Sequence, residues 1–119
     1  MQESIRLKLS EEQQELLKKD PDYISDFIKV LVPVYADRIG YMLQAYHPRQ
    51  KVSKVEIIPG TMQLNGINGV GLQLAYLLEE FSACSAVDTE DKEKMPVTVT
   101  VEDDGAALSL TGEYWPSLD

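Results

Sequence analysis

Residues 97–111 fold back on themselves in one register that separates apolar from polar side chains. With Asp104-Gly105 at the turn, Val101 meets Leu108 and Val99 meets Leu110 on one side. Thr98, Thr100, Glu102, Ser109 and Thr111 then line the other. An Asp-Gly pair suits the left-handed conformations of a tight hairpin, and a slip of one residue would turn the whole apolar row to water. Residues 54–65 offer a second candidate. Placing Pro59-Gly60 at the turn pairs Ile57 with Met62 and Val55 with Leu64, and sets Glu56 against Gln63 and Lys54 against Asn65 on the opposite face. A Pro-Gly pair prefers a type II turn, whose twist fits a two-residue hairpin poorly, which argues for a longer loop.

The first half of the chain reads as helical after a short strand. Ile5, Leu7 and Leu9 alternate with Arg6 and Lys8 over residues 4–10, the period of a half-buried strand. Ser10 and Gln13 then form a capping-box signature, with Glu11 and Glu12 in the first turn and Lys18 and Lys19 in the last, so a helix is expected to about Lys19. Asp20-Pro21 ends it and opens a second helix. Ile24, Phe27, Ile28, Leu31, Tyr35, Ile39, Met42 and Tyr46 recur at helical spacing, and Pro33 predicts a kink or break near residues 31–34. Val70, Leu74, Leu77, Leu78 and Phe81 suggest a third helix, entered through the glycine-rich residues 65–69. Residues 88–94, DTEDKEK, carry six charges in seven positions and read as a solvated loop.

These elements predict a single α+β domain over residues 1–119. N-terminal helices are followed by hairpin, helix and hairpin, with the helices packed on one face of an antiparallel sheet. A chain of 119 residues, 44% hydrophobic, can bury roughly two-thirds of its unfolded surface. The lone cysteine, Cys84, excludes an internal disulfide framework. With one histidine beside it, a zinc site built on several thiolates is excluded too. The N-terminal residues mix charges from the third position, and the most apolar window, residues 27–36, is interrupted by Lys29 and Pro33. The expectation is a cytoplasmic protein without a membrane segment.

Charge is segregated along the chain. Residues 1–78 hold nine Lys/Arg and nine Asp/Glu, whereas residues 79–119 hold eleven acids against Lys92 and Lys94, so the net charge of −9 is C-terminal. Such a field favours a cationic partner and repels phosphate backbones and anionic lipid. Arg38, Arg49, Lys51 and Lys54 form the complementary basic stretch, with no carboxylate among residues 38–54. A contact between basic and acidic regions of two copies would use both, making a homodimer a candidate assembly.

No short motif supplies chemistry. Gly66, Gly69 and Gly71 match neither the dinucleotide fingerprint nor the phosphate loop, and no lysine follows to reach a phosphate. The acids of residues 88–94 lack the ligand spacing of a calcium loop. His47 is placed to cap the long helix, and Cys84 to pack as a small apolar residue. No cofactor, metal ligand or catalytic residue is assigned. The expected function is a non-enzymatic protein-binding module, such as an adaptor, chaperone or inhibitor, that presents Glu102, Asp103, Asp104 and Trp115 to a basic protein surface. The alternative is a small-molecule-binding domain or minor enzyme whose pocket, between the long helix and the sheet, is lined by Tyr35, Tyr46, His47 and Met62.

Overall fold

Val99 and Val101 stand opposite Leu110 and Leu108 in the computed structural model, as the alternation requires. The structure describes residues 1–19, 24–65, 69–81, 88–102 and 105–116. Among these the order is β1 (Ser4–Lys8), α1 (Glu11–Lys19), α2 (Ile24–Val34), α3 (Ala36–Gln44), β2 (Lys51–Ile57), β3 (Gln63–Asn65), β4 (Gly69–Phe81), β5 (Asp88–Glu102) and β6 (Ala107–Thr111). The six strands form one antiparallel sheet in the order β1-β6-β5-β4-β2, with β3 also paired to β4. The α+β class holds, and the order of elements within it differs from the expected one.

The N-terminal half follows its sequence signals. Ser10 N donates to Gln13 Oε1 at 2.8 Å and Gln13 N donates to Ser10 Oγ at 3.2 Å, which completes the capping box of α1. The Asp20-Pro21 junction lies outside the described residues. The long periodic stretch divides at Tyr35 into α2 and α3, because Pro33 has no N–H and its ring crowds the preceding turn. Both helices turn their apolar stripes inward: Phe27, Ile28, Leu31 and Val32 from α2, and Ile39, Met42 and Leu43 from α3.

Residues 70–81 are strand rather than helix. Val70, Leu72, Leu74, Tyr76 and Leu78 form a buried row at period two, and that row joins the helix side chains in one core. Gly71 and Gln73 occupy the alternate positions. Residues 88–94 are likewise not a loop: they begin β5 and pair with β4, Asp91 opposite Leu78 and Glu93 opposite Tyr76. The Pro59-Gly60 turn forms, with Gly60 at φ +80 and Thr61 N donating to Ile58 O at 3.3 Å, which is the type II arrangement. It does not close a hairpin. β2 and β3 run in the same direction along one edge of β4, and the turn bulges out between them. The ladder is kept across the gap, since Ile58 N donates to Gln73 O at 2.9 Å and Gln73 N donates to Thr61 Oγ1 at 3.1 Å.

β4 and β5 are unusually long, at 13 and 15 residues. β6 accompanies β5 only from Thr98, so the β4–β5 ribbon runs past the end of β6 as an arm, with β2 along its β4 side as far as Glu79 and the β5 side open. Thirteen residues at 3.4 Å each span about 44 Å, which accounts for a molecule measuring 55 × 30 × 25 Å. No described strand pairs with residues 88–97 on the side away from β4. Pro96, which has no N–H to leave unpaired, sits on that open edge. Among the described residues, no helix is long and apolar enough to cross a membrane.

Candidate functional site

The chain leaves α3 through a tight turn that Gln44 organises. Its Nε2 donates to His47 O at 2.6 Å and to Gln50 O, while its Oε1 accepts from Val52 N at 3.0 Å. This fixes Tyr46 and His47 against the sheet. His47 is buried, and its Nε2 lies 2.7 Å from Tyr76 Oη. The imidazole therefore meets a strand side chain rather than the last carbonyls of the helix. Tyr76 came into reach only because residues 70–81 alternate as a strand.

Tyr46 ties the two ends of the chain together. Its hydroxyl accepts from Glu3 N at 2.9 Å and donates to Glu113 O at 2.8 Å. Around it, Gly112 N donates to Glu3 O at 2.9 Å and Trp115 N donates to Met1 O at 2.7 Å. The Met1 amino group donates to Trp115 O at 2.6 Å. Trp115 stands edge-on to Tyr46 and to His47, with ring centroids 5.0 and 5.4 Å away, a favourable aromatic geometry.

Burial holds the His47 imidazole below its ordinary value, against the opposing pull of Glu93. Burial raises the Tyr76 phenol well above its usual range, and Glu93, Tyr46 and Glu113 add to the rise. Both groups are thus kept neutral, and the Tyr76 hydroxyl can donate to Nε2 of a neutral ring. A catalytic histidine would need an activated nucleophile or a space for substrate beside it. His47 here meets the Tyr76 hydroxyl and the edge of the Trp115 ring, and the geometry is that of a clasp. No group of three or more metal-ligating side chains gathers among the described residues.

Open concave surfaces lie elsewhere, among them one of about 440 Å³ bounded by Thr61, Gln63, Gln73 and Pro96. A groove of about 390 Å³ runs between α3 and β2, walled by Gly40, Tyr41 and Gln44 on one side and by Lys51, Val52, Lys54 and Val55 on the other. Tyr35 and Met62 pack half-buried against the core, and neither they nor Tyr46 and His47 line this groove. The four residues expected to share a pocket are therefore divided, with Tyr46 and His47 together in the clasp. Lys51 and Lys54 belong to the basic stretch read from the sequence, whereas Tyr41 was not anticipated there. The only signal for Tyr41 was an aromatic residue off the apolar stripe of its helix. The charge of Lys54 was legible as part of that stretch, but nothing in the sequence marks its left-handed φ of +53.

The acidic residues also separate. Glu102 lies at the far end of β5, where its Oε2 is 3.3 Å from Arg6 Nε in an exposed ion pair. Asp103 and Asp104 lie outside the described residues. Eleven positions along β5 put Glu102 about 37 Å from Asp91 in the arm, at 3.4 Å per residue. Trp115 packs in the clasp, apart from Glu102. The arm itself carries Glu79, Glu80, Asp88, Glu90, Asp91 and Glu93 in its two strands, and the register sets Glu79 opposite Glu90. Comparison with protein-family models, with curated proteins and with solved structures returns no match.

Proposed function

We propose that this chain is a non-enzymatic protein-binding module whose acidic C-terminal surface docks on a cationic face of another protein. One observation carries the reading: the projecting β4–β5 ribbon holds six carboxylates between positions 79 and 93, with Lys92 the only cation among them. The concentration of these carboxylates on an extended element suits long-range steering toward positive charge. The same field works against nucleic acid and anionic membranes as partners.

Capture of partners from native lysate on the immobilised chain tests this, with bound proteins identified by mass spectrometry. Retention of a defined partner should fall as salt rises. It should fall again on charge reversal in the arm, Asp91→Lys with Glu93→Lys. Reversal of Glu102, Asp103 and Asp104 to lysine probes the opposite end of β5 and locates the docking face. Retention that survives both sets of reversals rules the reading out.

A further inference from the structure

We infer that the groove between α3 and β2 receives the acidic β4–β5 arm of a second copy of this chain, in a two-fold dimer. This rests on the proposal that the arm is a docking element, and it names the partner. The groove has an apolar floor of Gly40, Val52 and Val55, and Tyr41, 82% exposed, stands at its wall. Lys51 and Lys54 occupy the strand side. Neither forms an ion pair with a described carboxylate, and Asp37 is the one acid in the lining.

The backbone at Lys54 is the second observation. A lysine in left-handed geometry carries a steric cost that glycine would not, and β2 shifts register between Ser53 and Glu56 around it. The bulge re-aims the strand and brings Lys54 into the lining of two cavities. One is the groove, and the other is bounded by Glu56, Ala75, Tyr76, Leu77 and Lys92. Strain retained beside cations that form no ion pair with a described carboxylate points to an anionic occupant.

Charge and placement select that occupant. The chain has a net charge of −9, and its one carboxylate-free basic stretch, residues 38–54, supplies the strand side of the groove. Lys51 is paired in register with Glu79, so the groove opens at the base of the arm, at the same end of the molecule. Adjacent acidic and basic surfaces are self-complementary under a two-fold rotation: each arm meets the other copy's groove, both contacts form at once, and the assembly closes.

Sedimentation velocity across a concentration series tests the dimer at low and at high salt. The wild-type chain should be dimeric at low salt and dissociate as salt rises. Lys51→Glu with Lys54→Glu should weaken the dimer about tenfold or more, since each substitution acts twice and converts attraction into repulsion. Asp91→Lys with Glu93→Lys should do the same, and Asp91→Lys alone, at an exposed position, provides a variant that keeps the core intact. Mixing the groove-reversed and arm-reversed chains should restore a mixed dimer, because both contacts are again between opposite charges. A wild-type monomer throughout, a dimer indifferent to the lysine reversals, or a mixture that fails to recover each overturns the inference. A monomer whose arm variants still release a captured partner overturns the dimer alone. Arm variants that alter neither assembly nor capture overturn both readings.

Discussion

The Tyr46 hydroxyl lies 2.6 Å from the point where a Cβ on Gly112 would stand, with Tyr46 Cζ and Met95 Sδ each 3.1 Å away. The close approach is what allows one phenol to bond both Glu3 and Glu113. Gly112→Ala should therefore push the ring aside and cost about 1–3 kcal/mol. Tyr46→Phe should cost about 1–2 kcal/mol, because Glu3 N and Glu113 O lose their partner. In a double-mutant cycle by urea denaturation the two losses should be less than additive, since removing the hydroxyl removes the nearest clash.

His47 makes stability depend on pH in a definite direction. Its folded-state value is lowered, so between that value and the ordinary 6.5 the unfolded chain binds more protons than the folded one. Its contribution is intact above 6.5, falls as pH drops through 6.5, and is fully lost below the lowered value. Melting temperature measured against pH should fall over that window, and His47→Gln should flatten this part of the profile. A profile unchanged by the substitution would remove His47 as its source.

α1 buries none of its residues, so its capping box matters more than usual. Ser10→Ala should cost about 1 kcal/mol. The effect should appear first as faster amide hydrogen exchange in residues 11–19, while exchange in β4 and β5 stays protected.

Lys54→Gly separates stability from assembly. Glycine accepts a φ of +53 without a Cβ penalty, and the gain exceeds its extra unfolded-state entropy, for a net stabilisation of about 0.5 kcal/mol. The same change deletes a groove cation. Thermal stability should rise while salt-sensitive association weakens.

The first strand and the last two along the chain were legible because their alternation is unopposed: Ile5 and Leu7 in β1, and Val99, Val101, Leu108 and Leu110 in β5 and β6. β4 was not, because Val70, Leu74 and Leu78 fit a four-residue spacing as well as a two-residue one. Half-buried Leu77 on the opposite face completed a false helical stripe. The start of β5 was hidden more deeply, since its backbone order comes from pairing with β4 and not from any apolar side chains of its own. A helix over residues 70–81 would not bring Tyr76 to His47, so that pair follows only from the strand. The positions of Tyr46 and Trp115 in one cluster depend on chain ends that meet only in the folded molecule.

An open strand edge invites growth by stacking of further chains, the route to fibrils, and here that invitation is withdrawn. Any flush antiparallel self-pairing through residues 91–95 keeps odd positions beside odd ones, and the inward row there begins with Asp91 and Glu93. Overlapped carboxylates would repel, and Pro96 would interrupt the new ladder just beyond them. Neutralising Asp91 and Glu93 together would thus remove a safeguard against aggregation, a consequence visible as a lag-phase change in thioflavin fluorescence with the native fold unaltered.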